Sequence, residues 1–272
     1  MILQRGSRHY QIGDRVAEAE TYRTYICVDE ETGRRLLLQI AKESMHNGGL
    51  DRAVYILREL KKTAESFEVE YAKKGTGTLL SYERLFPNVV DSFIWEDQGN
   101  RRAVILEFSE VDDAMKMVPL TNLAKRDHIR VDLRTSAWIM GRLLKLLEFS
   151  HNERITVRTF SGNNVLIVPA QHFVVVFDWS SAQTFPDKIP ATNRADDIAD
   201  AAKAVFAAIG GDSETGSYAY LNEGDGETRY VEFLWNLASC RESNAERAHR
   251  QFYELVDELY GRKFHPFTTL PL

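Results

Sequence analysis

The hydrophobic pattern changes its period along this chain, and that change limits the possible folds more than any other feature. Residues 8–42 alternate apolar and polar side chains on either side of a turn at residues 30–34, which predicts paired β-strands. Residues 50–73 instead repeat apolar side chains at helical spacing. Short strands are predicted again at residues 89–95 and 102–108. The first third of the chain is therefore predicted to be a sheet with one long helix.

The remainder of the chain is predicted to be mainly helical. Its apolar spacing predicts three buried helices, at residues 133–147, 198–209 and 248–259. A strand pair with a short turn is predicted within residues 165–177. A sheet-rich part followed by a helical part indicates an α+β, two-lobed domain, with lobes of about residues 1–108 and 109–272.

Composition excludes several classes of function. The chain has 34 basic and 40 acidic residues and a formal charge of −6, which does not favour binding to nucleic acid or to an acidic membrane surface. We expect neither a signal peptide nor a membrane insertion, because no apolar run is long enough. The two cysteines, Cys27 and Cys240, have no metal-type spacing and are expected to be reduced and buried, which predicts a cytoplasmic protein.

Residues 157–167 carry the most functional information. In protein kinases, an H-R-D-L-x-x-x-N loop precedes a strand and a D-F-G turn. Here Arg158 and Asn164 stand at the Arg and Asn positions of that loop, and Asp178 stands at the Asp position of the turn. The catalytic Asp position is occupied by Thr159. A Thr hydroxyl cannot accept a proton from an alcohol at neutral pH as a carboxylate can.

With these elements in order, the chain resembles the eukaryotic-like Ser/Thr protein kinases, especially their bacterial members. Residues 105–110 are similar to the fifth strand and hinge of the family, with Leu106 as gatekeeper and with Glu107 and Ser109 in the hinge. Asp197 matches the Asp that opens the central helix of the second lobe. The resemblance implies a two-lobed kinase-like fold, and it implies that Asp197 accepts backbone N–H groups of the catalytic loop.

The phosphate-binding loop departs from the family. The pattern G-x-G-x-x-G-x-V aligns with residues 17–24, which contain no glycine. Glycines at these positions let backbone N–H groups approach the phosphates closely. Glu18 and Glu20 also add negative charge where the family binds an anion. The alignment therefore predicts weak phosphate binding.

The third strand also departs from the family. Leu37 replaces the small residue above the adenine ring, and Gln39 stands at the position of the phosphate-pairing Lys. Lys42 is three residues further on and is expected on the opposite face, unless a bulge turns it back. The Glu that would pair with this Lys falls on Ala53 in one register and on Glu59 in another.

The remaining positions have two interpretations each. Asp178 and Asn164 either retain a Mg²⁺ site or hold their own loops through local hydrogen bonds. Arg158 is expected to pair with a nearby carboxylate or carbonyl, because the segment between Asp178 and Asp197 is short and has no A-P-E motif.

These departures together predict a pseudokinase, a binding or scaffolding module with no expected cofactor and with one or more unidentified protein partners. The alternative is an atypical, weak kinase that uses ATP and Mg²⁺ to act on a protein or a small molecule, with Lys42 at the phosphates. A third interpretation is a subunit of a larger assembly.

Overall fold

The computed structural model describes residues 2–73, 82–109, 111, 113–158, 160–220, 225–239, 242–261 and 263–272. Two positions singled out in the sequence, Thr159 and Cys240, lie outside the described residues.

The described part of the chain contains six α-helices: α1 (Asn47–Lys73), α2 (Leu120–Lys125), α3 (Leu133–Asn152), α4 (Ala191–Ala208), α5 (Asp225–Ala238) and α6 (Ala245–Tyr260). It also contains thirteen strands: β1 (Ile2–Arg5), β2 (Arg8–Glu18), β3 (Tyr22–Asp29), β4 (Arg35–Ala41), β5 (Asn88–Trp95), β6 (Arg101–Glu107), β7 (Val118–Pro119), β8 (Ile129–Val131), β9 (Ile155–Thr156), β10 (Val165–Val168), β11 (Phe173–Val176), β12 (Gln183–Thr184) and β13 (Thr269–Pro271). The fold is therefore mixed α+β.

The first six strands form one antiparallel sheet in the order β1-β2-β3-β4-β6-β5. Strands β2 to β6 follow from the alternating pattern, because each places apolar side chains on one face at every second position. In β4, Leu36, Leu38 and Ile40 pack into an apolar cluster with Cys27 and residues of the neighbouring strands. The intervening residues of β4 point to the other face of the sheet.

The chain forms two compact units. The first contains the residues up to Met117 together with Phe177–Ser181, and the second contains Val118–Val176 and Ala182–Leu272. The first unit extends past the lobe boundary that the sequence predicts at residue 108. It also takes a five-residue piece from much later in the chain.

Helix α1 covers part of the sheet in the first unit, against β5 and β6. Its buried side chains are all apolar, and five of them recur at helical spacing, at Leu50, Ala53, Leu57, Leu60 and Ala64. Leu57, Leu60 and Ala64 belong to the pattern from which the helix is predicted, whereas Phe67, the fourth residue of that pattern, is exposed. Burial of the apolar stripe stabilises a helix of this length.

The segment Phe177–Ser181 is part of the core of the first unit. The Trp179 side chain is fully buried, and its ring lies 5.5 Å from the ring of Phe86. Arg52 of α1 donates a hydrogen bond to the backbone oxygen of Ser180 at 3.3 Å. The segment is therefore attached to the first unit by packing and by polar contacts.

Helix α3 forms the centre of the second unit, where it contacts α4 and α6. Asp132 caps its N-terminus, because the carboxylate accepts the backbone N–H of Thr135 at 2.7 Å. Helix α4 ends just before Gly210, whose φ of 90° suits a residue without a Cβ. The end of the chain returns to this region, since β13 pairs with β8.

Among the described helices, none combines the length and the apolar composition that crossing a membrane requires.

Candidate functional site

In the first unit, the strand residues expected to face a nucleotide share one face of the sheet. Leu37 of β4 lies directly opposite Leu106 of β6, and Gln39 lies opposite Val104. All four side chains are buried. The face therefore carries the bulky Leu37 where the kinase pattern has a small residue, and an uncharged Gln39 where that pattern has Lys.

Gln39 has a polar neighbour on this face. Thr24 of β3 is its direct cross-strand partner, and both side chains are buried. Within the described part of the chain, neither the Gln39 Nε2 nor the Thr24 Oγ1 has a hydrogen-bond partner. An unsatisfied buried group of this kind costs about 1–3 kcal/mol. The centre of this face therefore offers an amide and a hydroxyl, but no positive charge.

Lys42 lies just beyond the end of β4, where its backbone N–H donates to the Thr21 oxygen at 2.9 Å. Its ammonium lies 2.9 Å from a carboxylate oxygen of Glu18. Arg15 and Arg23 also pair with Glu18, at 2.7 and 3.3 Å. The hydrogen bond from Lys42, followed by that from Arg23, lowers the pKa of Glu18. The repulsion of phosphate expected from Glu18 is thus offset by three cations, and the charge of Lys42 is used locally.

Neither register of α1 supplies a carboxylate to this face. Ala53 is buried in the apolar stripe, and Glu59 is exposed. In an active kinase, an ion pair between this strand and the helix positions the phosphate-binding Lys. Neither charge of that pair is supplied to this face by Gln39, Ala53 or Glu59.

The two residues expected in the hinge lie at the end of β6 and just after it. The Glu107 carboxylate pairs with the Arg34 guanidinium at 2.7 Å and accepts a hydrogen bond from the Asn88 side chain at 2.6 Å. Ser109 lies in the turn after β6 and is half-buried. The Glu107 side chain is thus engaged by its own unit.

Asp178 is held by two groups of the first unit. Its carboxylate accepts the backbone N–H of Ser180 at 2.8 Å and makes a side-chain hydrogen bond with the Tyr22 hydroxyl. Tyr22 is only 3% exposed. Burial, and then the charge and hydrogen bond of Asp178, raise the pKa of Tyr22 far above its usual range. The phenol therefore stays protonated and donates its hydrogen bond to the carboxylate.

Tyr22 is the site residue that the sequence argument missed. In the kinase alignment over residues 17–24, the third glycine of the pattern falls on Tyr22. The alignment shows only that a glycine is absent. It does not show that the replacing side chain is buried against Asp178, because the two residues lie in opposite halves of the chain.

Asp197 organises the loop in the second unit. It is 1% exposed and accepts hydrogen bonds from the backbone N–H groups of Val157 and Arg158, both at 2.8 Å. The His151 Nε2 lies 3.1 Å from the same carboxylate. Three polar groups therefore contact this buried carboxylate. A buried charge needs such partners to be stable.

Arg158 and Asn164 flank the turn of this loop. Arg158 has a φ of 67°, and its guanidinium lies 3.8 Å from the carboxylate of Asp196, a local partner. Asn164 is buried, and its backbone N–H donates to the Ser161 oxygen at 2.9 Å. Asn164 belongs to the second unit and Asp178 to the first. Thr159, between these loop residues in sequence, is outside the described part.

No group of three or more His, Cys, Asp or Glu side chains that could hold a metal ion occurs among the described residues. Of the two predicted Mg²⁺ ligands, Asp178 already accepts hydrogen bonds from two donors. In comparisons with known proteins, no protein-family model matches the chain, and no curated protein matches it significantly.

Proposed function

We propose that this protein has a protein-kinase-like fold and acts as a pseudokinase, a binding or scaffolding module without phosphoryl transfer. The observation that carries the proposal is the hydrogen bond between the buried Tyr22 and Asp178. Asp178 is the position at which the kinase pattern binds Mg²⁺. The buried phenol of Tyr22 occupies one of the hydrogen-bond acceptor positions of the Asp178 carboxylate.

The position of Tyr22 strengthens this argument. The kinase pattern needs glycine there so that backbone N–H groups can approach the phosphates. A tyrosine side chain prevents that approach sterically, and it is not free to swing away, because it is packed in the core of the first unit. The same residue thus opposes both the metal and the phosphates.

The charges expected around a transferring phosphate support the proposal as well. Positioning and electrostatic stabilisation supply most of the catalysis in phosphoryl transfer. Gln39 brings no charge, and Ala53 and Glu59 bring no carboxylate to the sheet. Restoring the base alone, with Thr159→Asp, is therefore expected to leave the protein inactive.

The experiment that tests the proposal is a thermal melt with millimolar ATP, with and without Mg²⁺, combined with an assay of phosphate transfer. We expect no change in Tm and no transfer. A ligand present at a hundred times its Kd stabilises the folded state by about 2.7 kcal/mol, which a melt detects readily. Stabilisation by ATP that requires Mg²⁺ and is lost in Asp178→Ala would contradict the proposal.

A second candidate, the atypical ATP- and Mg²⁺-dependent kinase, is favoured by one observation. Lys42, Arg15 and Arg23 surround the single carboxylate of Glu18, which leaves an excess of positive charge beside the loop that aligns with the phosphate-binding pattern. If ATP stabilises the protein and Lys42→Met removes the effect, Lys42 contacts the phosphates and this candidate replaces the pseudokinase.

The proposal includes a protein partner and a cytoplasmic location, and it includes neither nucleic acid nor membrane insertion. A subunit of a larger assembly is a special case of the same proposal. It is distinguished by whether the protein purifies alone or only with other chains.

A further inference from the structure

The second unit contains an open cavity of about 840 Å³ that none of the predicted site residues lines. Its walls are α3, α6, the turn between β10 and β11, and the segment that follows α6. We call it the α3–α6 groove and define it by Arg134, Trp138, His172, Tyr253, Tyr260 and Phe264. Its volume is within the range of about 300–1,000 Å³ that is usual for ligand-binding sites.

Aromatic rings form one wall of the groove. The ring of His172 lies 4.8 Å from that of Trp138 and 4.9 Å from that of Phe264, with which it is stacked at 22°. Phe264 is 81% exposed and Tyr253 is 52% exposed, although both line the cavity. Several large apolar side chains that are exposed together mark an interaction surface more often than a single one does.

The segment that carries Phe264 is fixed on the C-terminal side of the exposed ring. The neighbouring His265 Nε2 lies 2.7 Å from the carboxylate of Asp132, the cap of α3. Thr268 donates its backbone N–H to the Thr135 hydroxyl at 3.0 Å, and β13 then pairs with β8. An aromatic surface held in place before binding loses less conformational entropy when a ligand covers it.

The charges on the groove favour an acidic occupant. Three basic side chains line it, Arg134, Arg250 and Lys263, against two acidic ones, Glu254 and Asp257. The groove therefore has an excess of basic side chains, although the formal charge of the whole chain is −6.

Two further residues of the groove have defined electrostatic surroundings. Burial lowers the pKa of His172, and the nearby His265 and Arg142 lower it further. Arg134 is held in place, because it donates to the Tyr260 backbone oxygen at 2.8 Å and lies over the Tyr260 ring. A carboxylate that contacts the groove beside Tyr260 would therefore meet the oriented positive charge of Arg134, whereas His265 is already paired with Asp132.

We propose that the α3–α6 groove binds a short segment of a partner protein, in which an apolar or aromatic anchor stands next to acidic residues. This inference rests on the proposed function as a binding module and names the surface and the chemistry of the partner. Trp, Tyr and Arg are the residues most enriched at the energetic centres of protein interfaces, and the groove contains all three.

The test uses an array of labelled 12-residue peptides with a central Leu, Phe or Trp flanked by Glu, and a matched array in which Lys replaces Glu. Binding to the full-length protein is measured by fluorescence anisotropy. We expect the acidic peptides to bind and the basic ones not to bind. Phe264→Ala and Lys263→Glu are each expected to weaken binding at least tenfold.

Two matched variants control for general effects. Tyr55→Ala removes another aromatic ring, 62% exposed, from the first unit. Lys188→Glu makes the same charge reversal at an exposed position that does not line the groove. Both are expected to bind the acidic peptides as the unchanged protein does.

Other outcomes overturn the inference. They are no binding by any acidic peptide, equal binding by the basic array, or binding that Phe264→Ala and Lys263→Glu leave unchanged. A dimer that forms in the absence of peptide and is lost in Phe264→Ala would assign the groove to a second copy of the chain instead. An ATP melt on the same preparations separates the two proposals, since stabilisation by ATP would contradict the proposed function whether or not peptides bind.

Discussion

A buried charge is stable only when polar groups surround it, and the carboxylate of Asp197 meets this condition through the backbone of a loop. Its carboxylate holds the backbone of Val157 and Arg158, at the start of the loop that resembles a catalytic loop. The hydrogen bonds depend on the position of that backbone and not on the identity of Thr159. The Asp197 carboxylate therefore supports the loop conformation at these two residues.

We expect Asp197→Ala to lower the free energy of unfolding by about 2–4 kcal/mol, because it leaves buried backbone donors without an acceptor. The control is Asp196→Ala, at the neighbouring position, where the side chain is 56% exposed and the expected change is within about 0.5 kcal/mol. Urea denaturation measures both. Equal stabilities of the two variants would show that Asp197 does not support the loop.

At the scale of residues, the sequence predicts the positions of candidate site residues better than it predicts their contacts. The kinase alignment is enough to single out Gln39 and Asp178 by position. It gives no information on the ion pairs of Glu18 with Lys42 and two arginines, because those depend on the path of the chain between β2, β3 and β4. The hydrogen bond from Tyr22 to Asp178 depends in addition on the tertiary fold.

At the scale of elements, hydrophobic period predicts the long strands and helices, because each of them buries one face. Strands β2 to β6 and helices α1, α3, α4 and α6 follow the predicted segments. Helix α5 was not predicted, although Tyr230, Leu234 and Leu237 are spaced as on one helix face and are buried. The short strands β8 and β13 have no hydrophobic period from which they could be predicted. They form a strand pair with each other, which the sequence pattern does not indicate.

Asp132 connects two elements, and this gives an element-scale prediction. Its carboxylate caps α3 through the N–H of Thr135 and contacts His265 of the C-terminal segment. We expect Asp132→Ala to destabilise the protein by about 1–2 kcal/mol, the usual cost of losing an N-cap, and Asp132→Asn to retain most of the stability. Chemical denaturation of both variants checks this, and an Asn variant as unstable as the Ala variant would contradict the capping role.

At the scale of the whole molecule, the sequence predicts an order of strands followed by helices, which the described elements follow. It does not predict that Phe177–Ser181 belongs to the first compact unit. These residues follow β11 directly, and their own pattern does not indicate to which compact unit they belong. Their assignment comes from long-range packing, in which Trp179 is fully buried with Phe86.

Because of this packing, we expect Trp179→Ala to lower the free energy of unfolding by about 3–5 kcal/mol, the range for removing a large buried aromatic side chain. Trp138→Ala, at a half-buried position of the α3–α6 groove, is expected to cost less. Denaturation curves of the two variants are compared under one set of conditions. A Trp179 variant as stable as the Trp138 variant would show that the segment contributes little to the first unit.

The segment Phe177–Ser181 is synthesised later than the rest of the first unit, and this affects folding during translation. A ribosome releases the chain from its N-terminus, so all residues up to Met117 emerge before Phe177–Ser181 do. During that interval, the apolar surface that receives Trp179 has nothing from the finished protein to cover it. At translation rates of about 5–20 residues per second, the delay lasts seconds, long enough for chaperones to bind or for nascent chains to associate. The first unit is thus the first to be begun, yet it is completed only after Val118–Val176 of the second unit have been made.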